Sequence, residues 1–286
     1  MTIVKELLRG VLIGIANIIP GVSGGTIAVS MGVYDKIILA ITGFRKNFRK
    51  SILTLLPYVI GAAAGIGVLS FIVKYALSNY PLQTSGLFIG MIIGGVPVIL
   101  KKVEGPKKGI THILLLVLFF LLVVVMAFIS GNEGTATDID INPGTVLQLF
   151  AVGIISAATM VIPGVSGSLV LMILGFYTII ISNISGLLEG LANFDIPALV
   201  HGAGVFIPLG LGILVGIGAI AKLIELLFKK VPIPTYFAIL GLIFGSPVAI
   251  IYEAGVTNVG AVEIIATVLT FCIGFAGSFF LSKEER

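Results

Sequence analysis

The same short motif occurs twice in this chain, and its residue types are suited to binding an anion. Residues 17–26 are Asn-Ile-Ile-Pro-Gly-Val-Ser-Gly-Gly-Thr, and residues 160–169 are Met-Val-Ile-Pro-Gly-Val-Ser-Gly-Ser-Leu. A proline and glycine pair interrupts a helix, so each copy should hold the end of one helix and the start of another. A helix start offers free backbone N–H groups and a partial positive charge, which favour anions such as phosphate.

Side chains in both copies can add to such a site, because hydroxyl groups donate hydrogen bonds and glycines let a ligand approach the backbone. The predicted anion-binding residues are Asn17, Pro20, Gly21, Ser23, Gly24, Gly25 and Thr26 in the first copy and Pro163, Gly164, Ser166, Gly167 and Ser168 in the second. Asn17 is either a ligand or a partner for backbone groups freed at the break. Leu169 stands where the first copy has Thr26, so the copies differ chemically, and the second is expected to be the more structural one.

These breaks lie in a chain whose composition is that of a membrane protein. Hydrophobic residues make up 58% of its 286 residues and charged residues only 10%. Runs such as Ile110–Ile129 and Val262–Leu281 match the roughly 20 residues that a helix needs to cross a hydrocarbon core. The sequence therefore predicts an all-α polytopic membrane protein. Lys5 and Arg9 before an apolar stretch resemble the start of a signal peptide, but the apolar character continues through the chain, so no cleaved leader is expected.

The positive charges divide the loops into two groups. Clusters of Lys and Arg occur near both termini and at residues 45–50, 101–108 and 229–230. Segments without either residue occur at 131–144, 183–197 and 253–260. Since basic loops of membrane proteins stay preferentially in the cytoplasm, both termini are expected to be cytoplasmic.

Charge placement also decides how each break is used. If residues 4–44 crossed the membrane, the basic residues at 45–50 would lie outside; if the chain enters and returns, both ends stay in the cytoplasm. Each motif is therefore predicted to form the tip of a re-entrant helical hairpin, at residues 4–44 and at residues 146–181. Six transmembrane helices are predicted at Ile52–Leu77, Gly86–Leu100, Ile110–Ile129, Ala203–Phe228, Tyr236–Tyr252 and Val262–Leu281.

The likeness between the two halves extends beyond the motifs. An offset of 143 residues superposes Pro20 on Pro163, Gly32 on Gly175 and Tyr34 on Tyr177. A Pro-x3-Gly-x3-Gly-x-Gly pattern begins at both Pro57 and Pro208. The alternative explanation is an accidental likeness between glycine-rich helices.

An odd number of crossings in each half has a consequence for topology. Each half has one hairpin and three transmembrane helices, so the second half should be upside down relative to the first, an inverted-topology repeat. The predicted units are a first repeat at residues 1–130, an extracytoplasmic loop at 131–144 and a second repeat at 145–286. The two tips should then approach each other near the middle of the membrane and line a cavity.

Ionisable residues in apolar segments are further candidates, because burial makes a charge costly unless it has a partner or a role. Asp35 and Lys36 lie past the first tip, where they can pair or contact an anion at the mouth of the hairpin. Glu225 follows Lys222 by three residues, a spacing typical of an ion pair. His201 either moves a proton or marks an interface. The sequence predicts no buried arginine that could clamp an anion, no metal and no cofactor.

The paired Pro-Gly-Val-Ser-Gly motifs, each followed by Gly-x-Tyr at residues 32–34 and 175–177, resemble the PopT family of polyprenyl-phosphate transporters over nearly the whole chain. The resemblance implies a flippase that returns undecaprenyl phosphate, the lipid carrier of cell-wall synthesis, from the outer to the inner leaflet of the bacterial plasma membrane. It points to Asn17, residues 20–26 and residues 163–168 as the headgroup site. A polyprenyl phosphate and the membrane lipids would be the partners.

Two other functions are compatible with the sequence. A transporter of small anions would use the same tips around a central pathway that is sealed from lipid. An intramembrane enzyme resembling undecaprenyl-pyrophosphate phosphatase would need a nucleophile beside a histidine or carboxylate, and neither motif contains one. Binding of nucleic acid is not predicted, because the basic residues lie in short loops where membrane orientation explains them.

Overall fold

The computed structural model describes residues 3–17, 19, 22–105, 109–129, 139–255 and 259–282, apart from the side chain of Ser70. All regular secondary structure in these residues is helical. The helices are α1 (Ile3–Ala16), α2 (Gly24–Ser30), α3 (Tyr34–Thr42), α4 (Phe48–Asn79), α5 (Pro81–Lys102), α6 (Ile110–Ile129), α7 (Pro143–Val161), α8 (Gly167–Ile173), α9 (Tyr177–Asn193), α10 (Ile196–Lys230), α11 (Pro232–Ala254) and α12 (Ala261–Ser282).

The prediction of an all-α polytopic membrane protein is confirmed. Among the described helices, seven are long and apolar enough to cross a membrane, or up to nine if each bent pair counts as one span. The six predicted transmembrane helices correspond to α4, α5, α6, α10, α11 and α12. Several of them extend beyond the predicted limits, because helices continue past the apolar run into polar ends such as Lys229 and Lys230.

The order of helices repeats. In each half, a helix that ends at the motif is followed by a seven-residue helix, a third helix and three long helices. In both halves, the return arm predicted for the hairpin is two helices in the structure, with bends of 116° between α2 and α3 and 109° between α8 and α9. Gly32 and Gly175 lie at these bends with φ angles of 74° and 76°, a conformation that favours glycine.

The second hairpin is longer than predicted. Its return arm was expected to end at residue 181, but α9 continues to Asn193, where Phe194 adopts a left-handed conformation with φ of 53°. Asp195 then starts α10, and its carboxylate accepts a hydrogen bond from the backbone N–H of Ala198. The segment that looked like an outer loop because it lacks basic residues is therefore mostly helix.

Glycines hold the long helices in close pairs. The α1 helix packs along α4, and α7 packs along α10 in the corresponding way. A Cβ added to Gly14 would lie 2.6 Å from the Cα of Ala62, and one added to Gly153 would lie 3.1 Å from the Cα of Gly212. The glycine patterns after Pro57 and Pro208 therefore serve backbone approach between helices. The later helices pair across the halves, α5 with α12 and α6 with α11.

The first hairpin returns toward its own start. Lys36 at the beginning of α3 places its Nζ atom 2.8 Å from a carboxylate oxygen of Glu6 in α1. The hydroxyl of Tyr58 in α4 donates to the other oxygen of the same carboxylate. The chain that leaves the first motif through α2 thus comes back beside the N-terminal part of α1.

Candidate functional site

The two motifs, far apart in the sequence, lie against each other in the structure. The hydroxyl oxygen of Thr26 accepts a hydrogen bond of 2.6 Å from the backbone N–H of Gly164, 138 residues away. A Cβ added to Gly25 would lie 3.4 Å from the Cα of Pro163. The hydroxyl of Tyr34 donates to the carbonyl of Val161, the last residue of α7, at 3.0 Å. The first motif therefore completes the hydrogen bonding of the second break.

In the first break, polar side chains accept hydrogen bonds from backbone N–H groups of the same break. The Oδ1 atom of Asn17 accepts a hydrogen bond from the N–H of Gly24 at 3.1 Å, and the Ser23 hydroxyl caps α2 by accepting from the N–H of Gly25 at 3.2 Å. These bonds satisfy backbone N–H groups that we predicted from the sequence to be free for an anion. A helix of seven residues also has a smaller dipole than a long one. Pro20 and Gly21 lie outside the described residues.

The serine hydroxyls of the second break make no hydrogen bonds to its backbone N–H groups, unlike the Ser23 hydroxyl of the first break. Ser166 precedes α8 but makes no capping hydrogen bond with its side chain. Its Oγ atom instead lies 2.8 Å from the Oγ atom of Ser168. Gly164 has a φ angle of 82°, and a Cβ there would lie 2.9 Å from the Cβ of Leu242. The tight turn at Gly164 thus requires glycine, while the two serines keep hydrogen-bonding capacity for a ligand.

A cavity of about 250 Å³ lies where the two breaks meet. We call it the serine cavity. Its polar lining residues are Asn17, Ser23, Ser156, Ser166 and Ser168. Its apolar walls are Val22, Met160, Val165, Leu171, Ile180, Leu209 and Ile213, from both breaks and from α7, α8, α9 and α10. Hydroxyl and amide groups therefore converge in an otherwise apolar space.

Ser156 is a member of this cavity that the sequence did not single out. It lies in α7, is 4% exposed, and its Oγ atom has no hydrogen-bond partner among the described residues. Buried hydroxyls almost always have a partner, so an unpartnered one at a cavity marks a position for a ligand atom. The repeat alignment could have drawn attention to Ser156, because at the offset of 143 residues this polar residue corresponds to the apolar Ile13.

The other predicted residues are distributed around this cavity. Gly167 lines it, whereas Gly24 and Gly25 line a smaller cavity beside the first break. Thr26 and Gly164 are occupied by their mutual hydrogen bond. The expectation that the second copy is the more structural one is not favoured by this arrangement, because the second copy presents the hydroxyl pair.

The four predicted ionisable residues lie outside the serine cavity. Asp35 contacts Lys102 and accepts a hydrogen bond from the Tyr236 hydroxyl at 3.0 Å. Lys36 pairs with Glu6, so Asp35 and Lys36 do not pair with each other. The predicted ion pair between Glu225 and Lys222 is present at 2.7 Å, and Lys229 contacts the same carboxylate. His201 lines a separate cavity between α9 and α10.

One arginine is buried, although not at the serine cavity. Arg9 in α1 is fully buried and donates a hydrogen bond of 2.6 Å to the carbonyl of Leu281, near the end of α12. A carboxylate oxygen of Glu6 lies 3.5 Å from it. The carbonyls at the C-terminal end of a helix attract a cation, which explains why the charge is tolerated. Arg9 does not line the serine cavity and joins the first helix of the chain to the last.

Comparison with known proteins identifies the relatives of this chain. It is 29% identical to the polyprenyl-phosphate transporter of Staphylococcus aureus over 282 residues, covering 97% of this chain and 95% of that protein. It is 26% identical to the polyprenyl-phosphate transporter of Vibrio cholerae over 191 residues, 62% of this chain and 59% of that protein. No solved structure matches. Residues 13–251 match the VCA0040-like family, described as undecaprenyl phosphate translocase-like. Because this match spans most of the sequence, the chain belongs to the undecaprenyl phosphate translocase-like family.

Proposed function

We propose that this protein carries a polyprenyl phosphate, specifically undecaprenyl phosphate, from the outer to the inner leaflet of the bacterial plasma membrane. Both relatives described above carry the name polyprenyl-phosphate transporter. The observation that carries the proposal is the serine cavity, in which hydrogen-bonding side chains from both breaks face one small space with apolar walls. Asn17, Ser23, Ser156, Ser166 and Ser168 hold the phosphate headgroup.

The chemistry of the cavity suits a phosphate on a long apolar chain. Each serine hydroxyl can donate a hydrogen bond to a phosphate oxygen, and the Nδ2 group of Asn17 can donate as well while Oδ1 accepts from Gly24. At about 250 Å³ the cavity is smaller than the roughly 300–1,000 Å³ typical of sites that enclose a drug-sized ligand. It therefore holds the headgroup, and the prenyl chain stays among the lipids.

Transport also needs access from both leaflets, which an inverted repeat supplies. The repeated order of helices and the meeting of the two tips support an inverted pair at residues 1–130 and 145–286. Alternating access then arises from movement of one half against the other. The distribution of basic residues supports cytoplasmic termini.

Hydrolysis is the weaker proposal for this cavity. A phosphatase needs a general acid or base within hydrogen-bond reach of the phosphate, and the described lining contains no histidine, aspartate or glutamate. Export or uptake of a small anion remains a testable alternative, because hydroxyl groups bind inorganic phosphate as readily as a lipid phosphate.

Purified protein in liposomes tests all three functions. Undecaprenyl phosphate is placed in the outer leaflet, and its headgroup is probed with an added phosphatase that cannot cross the membrane. We expect the lipid to become protected over time, and Ser166→Ala to slow this protection while the amount of reconstituted protein is unchanged. Exposure that persists as in empty liposomes would refute lipid transport. Release of phosphate without added phosphatase would indicate hydrolysis, and uptake of labelled inorganic phosphate would indicate an anion transporter.

A further inference from the structure

Four cavities of the described structure form two matched pairs across the repeat. The serine cavity has a counterpart of about 150 Å³ beside the first break. Its lining includes Ile13, Asn17, Gly24, Gly25, Ala28 and Ile37, and each lies 143 residues before a lining residue of the serine cavity. The two tips are therefore flanked by equivalent spaces, although their side chains differ.

A second matched pair lies farther from the tips. One cavity, of about 370 Å³, lies between α9 and α10, and we call it the His201 cavity. Its lining includes Ser182, Asn183, Gly186, Ala198, His201 and Gly202. The other, of about 500 Å³, lies between α3 and α4, and we call it the Lys50 cavity. Its lining residues Leu39, Ala40 and Gly43 correspond to the first three of those six at the offset of 143 residues. Its lining residues Asn47, Lys50 and Ser51 correspond to the last three at the offset that superposes Pro57 on Pro208. Lys50 thus takes the place of His201.

These two outer cavities lie at opposite ends of α10. Gly202 near the start of α10 lines the His201 cavity. Phe228 near its end has its ring centroid 6.3 Å from that of Tyr34, whose neighbour Asp35 lines the Lys50 cavity. Gly202 and Phe228 are 26 positions apart, roughly 39 Å at 1.5 Å per helical residue. This separation exceeds the hydrocarbon thickness of about 30 Å, so the two cavities lie toward opposite ends of a helix long enough to span a membrane.

In each half, the cavity beside the break and the cavity farther from it are lined by residues of the same helix. Ile180 of α9 lines the serine cavity, and Asn183, one turn later, lines the His201 cavity. On α3, Ile37 lines the small cavity beside the first break, and Leu39 lines the Lys50 cavity. The inner and outer cavities of each half therefore share a helix, α9 in one half and α3 in the other.

The polar groups of the outer cavities are suited to an anion. The Lys50 cavity contains Lys36, Lys50 and Lys102 against one carboxylate, that of Asp35. Lys36 pairs with Glu6 and Lys102 contacts Asp35, whereas Lys50 makes no ion pair with any described residue. The His201 cavity offers an imidazole, a serine hydroxyl and the amide of Asn183, which is 8% exposed. Both cavities therefore present nitrogen and hydroxyl donors, and Lys50 and His201 are the donors at equivalent positions.

We propose that the His201 cavity and the Lys50 cavity are a pair of docking sites for a phosphate monoester, one on each face of the protein. His201 and Lys50 are the equivalent ligands that hold the phosphate before and after it occupies the serine cavity. That the monoester is a lipid headgroup rests on the proposed function; the anion sites themselves rest on the cavities.

Protection of engineered cysteines tests the two sites separately. Cys272→Ser removes the single native cysteine, and Asn47→Cys or Ser182→Cys then places one thiol in the lining of each cavity. Maleimide labelling is measured on the detergent-solubilised full chain with geranyl phosphate, inorganic phosphate or geraniol. A phosphate compound at ten times its dissociation constant should slow labelling about tenfold, and geraniol should not.

Matched variants assign the ligands. Lys50→Gln should remove protection at Asn47→Cys, while Lys46→Gln, a neighbouring lysine that does not line the cavity, should leave it intact. His201→Gln should remove protection at Ser182→Cys, while His112→Gln should leave it intact. Tighter protection by geranyl phosphate than by inorganic phosphate assigns the sites to a lipid headgroup, and equal protection assigns them to free phosphate.

The outcomes separate this inference from the proposed function. Protection by neither phosphate compound, or equal protection by geraniol, overturns the docking sites even if lipid transport is observed in liposomes. Protection that requires Lys50 and His201 supports the docking sites even if lipid transport is absent, in which case only the proposed function fails.

Discussion

The two helix breaks share a motif and use it differently. In the first break, Asn17 and Ser23 accept hydrogen bonds from backbone N–H groups of the same break. Thr26 accepts one from a backbone N–H group of the second break. In the second, Ser166 and Ser168 contact each other at the edge of the serine cavity. The first break is mainly a structural support, and the second presents the donors. A repeated motif therefore does not imply a repeated role.

Two positions at which the halves differ make the difference. The first cavity has Ile13 and Gly25 where the serine cavity has Ser156 and Ser168. These two exchanges give one cavity two hydroxyls that the other lacks at the equivalent positions. The larger volume lies on the side with the hydroxyls, about 250 Å³ against 150 Å³. The serine cavity is therefore the larger of the two and the one with more serine hydroxyls.

The orientation of the halves gives the largest expected effect, because labelling from a given side is all or none. If the repeat is inverted, the thiol of Asn47→Cys reacts with a membrane-impermeant maleimide only from the cytoplasm, and that of Ser182→Cys only from outside. Intact cells and inverted membrane vesicles, both in the Cys272→Ser background, provide the measurement. Labelling of both thiols from one side would refute the inverted arrangement.

Removing the hydroxyls that distinguish the second cavity should nearly abolish transport. Ser156→Ala with Ser168→Ala takes away two donors to a charged ligand, which we expect to reduce the transport rate about a hundredfold. The change should not destabilise the protein at Ser156, because that hydroxyl has no partner among the described residues. The liposome assay measures the rate, with Ile13→Val in the equivalent cavity as the control. A rate within a factor of two of that of the unaltered protein would refute the assignment of Ser156 and Ser168 as phosphate ligands.

Ser166 and Ser23, the residues that precede α8 and α2, should separate binding from stability. Ser166→Ala is expected to weaken transport about tenfold through loss of one donor, with little change in stability. Ser23→Ala removes the cap of α2 and should cost about 0.5–2 kcal/mol of stability in addition to its effect on transport. Transport rate and apparent Tm in detergent are measured for both. Identical behaviour of the two variants would show that the breaks are equivalent after all.

Thr26 should behave as a structural residue. Thr26→Val removes the acceptor for the buried N–H of Gly164 and should destabilise the protein by about 1–3 kcal/mol. Thr26→Ser keeps the oxygen and should restore most of this loss. Thermal unfolding of the purified protein compares the two. If Thr26→Val left the apparent Tm unchanged and reduced only headgroup binding, Thr26 would be a ligand instead.

The smallest effect is expected at the helical ion pair of Lys222 with Glu225, in which the lysine is exposed and the glutamate is buried. Lys222→Gln leaves Glu225 in contact with Lys229, and a helical pair with an exposed lysine contributes only about 0.3–0.5 kcal/mol. Transport and apparent Tm should both stay close to those of the unaltered protein. A clear loss of transport would place Glu225 in the mechanism.

The amino-acid sequence by itself determined the membrane class, the helix breaks and most of the transmembrane helices. Long apolar runs and proline–glycine pairs act locally, so their consequences can be predicted without the rest of the chain. The bends at Gly32 and Gly175 were visible as repeated residues, although their role as breaks in the return arms was not. Ser156 was overlooked because a single serine in an apolar helix carries no local signal.

Only the tertiary structure decided which break presents its hydroxyls. The bond from Gly164 to Thr26 joins residues 138 positions apart, and the bond from Arg9 to Leu281 joins residues 272 positions apart. Such contacts depend on how distant helices pack, which no short pattern encodes. The burial of Arg9, the occupation of Thr26 and the open hydroxyl of Ser156 follow from that packing. The sequence could therefore mark two similar breaks, and the packing of distant segments occupied the polar groups of one and left hydroxyls of the other facing a cavity.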